Sequence, residues 1–432
     1  MNKKRKKKSY KISAAAALGC LVCTATVMTN GISVKAVDVN DLPVIKNTIQ
    51  YDKNEKCFID AKIKHYKDIQ KIHKLAGFDF KLPDYTDNIF SKAISTSVEK
   101  ITDNHNSVNL FAFNYDKKSK AKRLDMVISE YDPVKTLEEI YKDKRNTSDV
   151  KLEKEQYSIK GMDGDVITIT VNTPEEKCDD YVISAEQDIF RYFVFNDNGV
   201  NYAIQSSHEN RCDNTVNTIN NLSDDDIYTV LSSLNNIDDV KNIDYNDDGQ
   251  ELSTELGVMA IYDEEDLEKA KNIIGFNPKF PVNINENIKL SQSIVGITAH
   301  SDIPNNKIKY NLWTRYEIED TVNNSDGHSF ITFISSQNND MYDEVKTKGY
   351  YTEEQYDAES DEPSYVNVNA DKINLGGRDV YKLNEVDENY KLVHYVWEED
   401  GVYYQLILWN TDDNDNTNDS LAQIFIESKE NK

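Results

Sequence analysis

The chain has 432 residues and sets 76 acidic side chains against 50 basic ones, a formal net charge of −26; such a field repels nucleic acid and anionic lipid head groups and attracts cations and basic peptides. The length exceeds a single ordinary domain and points to two or three. Five cysteines are too few to staple so long a chain, so the fold must rest on hydrophobic cores.

The N-terminus reads as a secretory signal over residues 1–36. Lys3, Lys4, Arg5, Lys6, Lys7, Lys8 and Lys11 make a basic opening, Ile12 to Met28 is apolar and small, and Val34-Lys35-Ala36 offers a cleavage site. Two other readings stay open. A retained anchor needs roughly 20 strongly apolar residues, and Thr24, Thr26, Thr29, Asn30 and Gly31 dilute this stretch. A lipid on Cys20 would follow Ala17-Leu18-Gly19, which lacks the usual Leu three places before the cysteine. Cleavage removes eight basic residues and no acid, taking the charge from −26 to −26 − 8 = −34. No later stretch is apolar and long enough to span a bilayer, so the rest is expected outside the cell. Of Cys57, Cys178 and Cys212, the last two sit at the edges of neighbouring strand patterns and are the better candidates for a pair.

An internal repeat organises the remainder of the chain. Gly77-Phe78-Asp79-Phe80-Lys81-Leu82-Pro83 returns as Gly275-Phe276-Asn277-Pro278-Lys279-Phe280-Pro281, each after a charged, helix-like run, Tyr66 to Leu75 and Tyr262 to Ile273. Phe193-Val194-Phe195, leading to Gly199-Val200 and Tyr202, returns as Tyr395-Val396-Trp397, leading to Gly401-Val402 and Tyr404; both read as hairpins. Each copy closes on a helical pattern, Ile227, Val230, Leu231 and Leu234 in one, Leu421, Ile424 and Phe425 in the other. Between these anchors lie strand-like runs: Met126–Ser129, Val166–Val171 and Tyr202–Ile204, then Phe330–Ile334, Val380–Leu383 and Tyr403–Trp409.

The expected fold class is therefore α+β: two tandem copies of a curved antiparallel sheet with helices packed on one face. The expected domains are 37–238 for the first repeat and 239–432 for the second, with the boundary in the Asn- and Asp-rich run Asn235 to Gln250.

The Gly-Phe-x-x-Lys-x-Pro opening, the Gly before a strand at Gly377-Arg378-Asp379-Val380-Tyr381, the aromatic hairpin ending in Gly-Val-x-Tyr and the closing helix resemble domain of unknown function 4367. The second copy, from about Asp263 to Ser428, matches it better than the first, which has Phe195 where the second has Trp397. That family recurs in extracytoplasmic proteins of low-GC Gram-positive bacteria. The resemblance implies a sensing or binding module and supplies no catalytic residues.

Candidate sites are few. Asp244-Tyr245-Asn246-Asp247-Asp248-Gly249 with Glu255 fits the EF-hand loop pattern, in which Asp244, Asn246, Asp248 and Glu255 would supply the hard oxygens that Ca²⁺ prefers. Against this, Glu251 stands where that loop carries an apolar residue, and in so Asp-rich a chain the same letters also spell a polar turn. Asp412 to Asp419 is a denser acidic run without metal-site spacing, and reads as a solvated loop. The seven histidines, His65, His73, His105, His208, His300, His328 and His394, form no zinc motif. Trp313, Trp397 and Trp409 suit either a ligand platform or core packing.

The reading that results is a secreted, non-catalytic binding or sensing protein. Its partner is an unidentified peptide, envelope component or cation, with calcium the one cofactor considered. The alternatives are a secreted hydrolase working through acidic residues, which needs a deep acidic cleft, and a lipid or lipoprotein carrier, which needs an apolar cavity.

Overall fold

The computed structural model describes residues 57–84, 94–113, 123–142, 149–177, 182–212, 215–246, 259–285, 287–298, 309–318, 329–338, 340–357, 364–386, 391–409 and 415–429, and a short strand at Lys11–Ser13. Apart from that strand, the signal segment lies outside the described residues, as do Cys178, Asp248 and Glu255. The chain divides into two compact units, Ala61–Ser253 and Thr254–Lys432, the latter joined by Met1–Asp60.

In the first unit the elements are β1 (Ile63–His65), α1 (Ile69–Ala76), β2 (Lys81–Pro83), β3 (Ile94–Thr102), β4 (His105–Phe113), β5 (Arg123–Ser129), α2 (Pro133–Lys142), β6 (Asp149–Ile159), β7 (Met162–Thr173), β8 (Glu186–Asp197), β9 (Val200–Cys212), β10 (Thr215–Asn221), α3 (Asp224–Ser232) and β11 (Leu234–Asn236). One antiparallel sheet runs β1-β3-β4-β5-β9-β8-β7-β6, with β10 also on β9, while β2 and β11 pair apart from it.

The second unit contains β12 (Met259–Ala260), α4 (Glu264–Ile274), β13 (Ile288–Thr298), β14 (Lys309–Ile318), β15 (Phe330–Ser336), α5 (Asp340–Lys348), β16 (Tyr350–Asp357), β17 (Ser364–Leu375), β18 (Arg378–Val386), β19 (Lys391–Glu399), β20 (Val402–Trp409) and α6 (Asp415–Glu427). Its sheet runs β12-β13-β14-β15-β20-β19-β18-β17-β16, and Lys11–Ser13 lies on the outside of β16. The protein is thus sheet-rich α+β, with two large antiparallel sheets and a few helices. All six strand-like runs read from the sequence lie within strands. Leu234 departs from its expected helix and opens β11.

Local chemistry explains the helix ends. Asp68 caps α1 by accepting from the backbone N–H groups of Gln70 and Lys71, and Asp263 caps α4 by accepting from Asp266 N–H. Both helices stop at the glycine of the repeated motif: Gly77 (φ 82°) and Gly275 (φ 80°) take the left-handed conformation that a side chain would oppose, and each returns its N–H to the preceding turn. Ser223 and Asp226 form a capping box on α3.

The helices pack on both faces of the sheet, which corrects the expectation of one covered face. In the first unit Ile69, Ile72 and Ala76 of α1 and Ile227, Val230 and Leu231 of α3 join Met126, Ile128, Phe193, Tyr202 and Ile204 in one core. Leu137, Ile140 and Tyr141 of α2 join Val127, Tyr192, Val194 and Ala203 in another. Successive strand residues point to opposite faces, so central strands apolar at every position, such as Met126-Val127-Ile128 and Tyr192-Phe193-Val194, need cover on each side. Each fully buried aliphatic or aromatic side chain contributes about 1.5–3 kcal/mol. In the second unit Val345 of α5 packs with Tyr381, Leu383 and Val396, whereas Phe425 of α6 meets Tyr316 and Phe333, whose neighbour Trp397 is on that same side.

Candidate functional site

The repeated motifs prove to be packing devices. Lys81 Nζ lies 2.7 Å from Asp197 Oδ2 at the end of β8, and Lys81 N–H donates to the Tyr202 hydroxyl (2.9 Å). Burial pushes the Tyr202 phenol up to about 12 against that donor's pull. Lys279 repeats the arrangement with Glu399 Oε2 (2.6 Å), sits over the Tyr404 ring (5.5 Å) and donates to the Ile426 carbonyl. The hairpins turn on Asn198-Gly199 and Asp400-Gly401, all at positive φ.

Of the calcium candidates, Asp244 and Asn246 lie among the described residues. Asp244 Oδ1 accepts from Asn246 N–H (2.9 Å), an Asx turn, and Asn246 Oδ1 accepts from Ile69 N–H (3.1 Å) at the start of α1. Between them, buried Tyr245 donates its hydroxyl to the Pro83 carbonyl (2.7 Å). Within the acidic run ending at Asp419, that residue accepts from Lys382 Nζ (2.8 Å) and the Tyr395 hydroxyl (2.7 Å). Among the described residues no three His, Cys, Asp or Glu side chains meet in a metal-holding group.

The tryptophans divide. Trp397 is fully buried and packs against both Tyr404 (5.3 Å) and Phe333 (6.0 Å), so it is core. Trp409 stacks on Phe330 (4.7 Å), itself covered by the Arg315 guanidinium (4.0 Å), and like Trp313 is half-buried.

Beneath α2 and α5, each unit buries a polar cluster. In the first, Tyr141 and Tyr192 share a hydroxyl–hydroxyl hydrogen bond (2.8 Å), and Gln205 Nε2 donates to Tyr192 (3.1 Å); burial pushes both phenols well above their ordinary range. In the second, His394 stands where Tyr192 does in the first hairpin. Its Nε2 is 3.4 Å from Glu385 Oε2, and Gln405 Nε2 lies 3.2 Å from its Nδ1. Glu353 completes the lining with Met341, Tyr351, Val368 and Leu383, around a space of about 10 Å³. That holds about one water molecule and no sugar ring or peptide bond.

A cleft of about 460 Å³ opens at one end of the first sheet. Register places Asp149, Asn172, Gln187 and Arg211 side by side across β6, β7, β8 and β9. Gln187 donates to Asn172 Oδ1 (2.9 Å), while Arg211 donates to Gln187 Oε1 (3.4 Å) and Glu209 Oε2 (3.0 Å). Thr173, Pro174, Ala185 and Glu186 complete the wall. The row offers amide and guanidinium donors with carboxylate acceptors at strand spacing, so it can hydrogen-bond an extended polar ligand. Sequence reasoning did not single out any of the four, because they are brought together by strand register and share no motif.

No family model matches the chain, and no curated protein matches it. Among solved structures, the crystal structure of MucB in complex with MucA(peri) aligns at 8% identity over 77% of this chain and 90% of that one, with a TM-score of 0.16. The complex of Pseudomonas aeruginosa MucA/MucB aligns at 8% identity over 74% and 83%, with a TM-score of 0.14. The di-domain ARO/CYC StfQ from the steffimycin biosynthetic pathway aligns at 7% identity over 80% and 82%, with a TM-score of 0.10. Likenesses at this level carry no argument about fold or function.

Proposed function

We propose that this is an extracytoplasmic binding protein built from two copies of one α+β unit, related to domain of unknown function 4367, and that it holds an extended polar ligand, a peptide or an envelope polymer, in the cleft of the first unit. The in-register row Asp149-Asn172-Gln187-Arg211 carries the reading, since it is an open surface of donors and acceptors at strand spacing. The shared strand order from β5 to β6 and from β15 to β17 supports the duplication. The basic, then apolar N-terminus supports export. No described helix is long and apolar enough to cross a membrane. The buried His394 cluster has space for about one water.

Binding of the purified chain to panels of peptides, wall polysaccharides and peptidoglycan fragments tests the proposal, with Arg211→Ala and Gln187→Ala alongside. Affinity that falls tenfold or more in both variants at unchanged melting temperature supports it. Binding indifferent to both, or turnover of a wall polymer, overturns it.

A further inference from the structure

The two sheets differ at one end. From β5 the first sheet runs β9-β8-β7-β6 and, among the described residues, goes no further; from β15 the second runs β20-β19-β18-β17 and adds β16. The chain order explains the difference. After α2 the next described element of the first unit is β6, whereas after α5 the second places the eight residues of β16 before β17. Strand β16 lies antiparallel to the first half of β17, from Tyr350 opposite Asn369 to Gln355 opposite Ser364. The hairpin turns Lys160-Gly161 and Gly376-Gly377 align β6 with β17, so Glu153 takes the place of Asn369 and Asp149 that of Tyr365. Among the described residues no strand pairs with the outer edge of β6.

We propose that the outer edge of β6 at Asp149–Glu153 is a strand-addition site for an extended basic peptide, which takes the place that β16 fills in the second unit. This rests on the binding reading above and says how the ligand is held. An edge strand presents a row of backbone donors and acceptors that an extended peptide can complete.

The second unit shows what such a strand meets. Tyr351 of β16 points inward and packs with Met341, Tyr342 and Val345 of α5, and Glu344 of that helix accepts from Thr352 N–H (3.2 Å) and its hydroxyl (2.8 Å). In the first unit, α2 and β6 offer Val134, Val150 and Leu152, half-buried beside the core, to an inward-facing apolar residue. Charge selects the partner. Along this edge and its cleft Asp149, Glu153 and Glu186 outnumber Lys151 and Arg211, and those two cations already pair with Glu153 (2.7 Å) and Glu209 (3.0 Å). A peptide whose outward residues are lysines fits that balance within a chain of net charge −26. Running antiparallel to β6, its C-terminal end reaches the cleft at Asp149.

The probe is an N-acetylated ten-residue peptide alternating Lys with Val and Tyr, compared by calorimetry and hydrogen exchange with its Glu-for-Lys counterpart and with versions N-methylated on one or the other set of alternate residues. The lysine peptide should bind at least tenfold more tightly than the glutamate peptide and slow exchange in Asp149–Glu153. One N-methylated set should weaken binding at least tenfold while the other changes it little, and Asp149→Lys with Glu153→Lys should reverse the charge preference. No binding of the lysine peptide overturns the proposal. So does binding that ignores both methylations and protects no amide of β6; if Arg211→Ala abolishes that binding, the cleft reading stands without strand addition.

Discussion

Lys279 Nζ and Glu399 Oε2 approach to 2.6 Å with 1% of the lysine side chain exposed, while Lys81 and Asp197 make the same pair at 2.7 Å with 35% and 23% exposed. One motif thus serves a buried and a half-solvated ion pair, and the two respond differently to substitution. Glu399 also accepts from Arg378, whereas Lys279 has Glu399 as its charged partner together with the Ile426 carbonyl and the Tyr404 ring.

Removing the acid is therefore the more damaging change. Glu399→Gln takes the carboxylate away from a buried ammonium and should cost about 3–5 kcal/mol. Lys279→Met leaves an apolar chain against Tyr404 and a Glu399 still held by Arg378, and should cost under about 2 kcal/mol. In the first unit Lys81→Met should cost about 1 kcal/mol or less because solvent screens that pair. Urea melts of the three variants check the ranking.

Trp397→Ala empties the centre of the second core and should cost about 3–5 kcal/mol. Trp313→Ala, on a half-buried residue, should cost well under half of that. Similar losses for both would place Trp313 in a core of its own.

Asp84 binds the tail of the first unit. Its carboxylate accepts from the backbone N–H groups of Lys241 (3.0 Å) and Asn242 (2.6 Å) and from the side chains of Asn235 and Asn242. The slight burial that raises its pKa is outweighed by these donors, so it lies below the ordinary 3.8. A carboxyl depressed in the folded state contributes stability above its unfolded pKa and loses it as pH falls through the folded one. Hydrogen exchange at Lys241 and Asn242 should stay slow at pH 5 and accelerate below the ordinary carboxylate range; Asp84→Ala should show the fast exchange at every pH.

Asn246 holds the start of α1, so Asn246→Ala should lower stability by about 1 kcal/mol, as the loss of a helix cap does. The same oxygen cannot accept from Ile69 and ligate a cation on that lone pair without competition. Melting of the wild-type chain should accordingly rise no more with Ca²⁺ than with Mg²⁺ at matched ionic strength; a Ca²⁺-selective rise lost in Asp244→Ala would restore the loop as a metal site.

Hairpins and helix stops were legible because their chemistry is local: Asn198-Gly199 and Asp400-Gly401 need positive φ, and Gly77 and Gly275 end helices. Helix α2 carries a fainter signal, Asp132 before Pro133, with Asp132 Oδ1 accepting from Lys135 N–H (3.0 Å). The second covered face depends on that helix, and its trace in the sequence is the gapless apolar runs of β5 and β8. The row from Asp149 to Arg211 was beyond reach, since four residues spread over more than sixty positions become neighbours only through the register of three strand pairs.

The segment at Cys57–Ile59 belongs to the second unit: Phe58 N–H donates to the Tyr262 carbonyl (2.8 Å) and its ring lies 5.5 Å from Phe280. The first unit is therefore an insertion within the second. As the chain is made N-terminus first, Phe58 emerges early and must wait for a partner some 200 residues behind it. Closing a loop that long is entropically slow unless the intervening unit has already folded and shortened the gap. Assembly of the C-terminal unit is thus subordinate to that of its guest, and a fragment starting at Thr254 would lack the residues that finish its own fold.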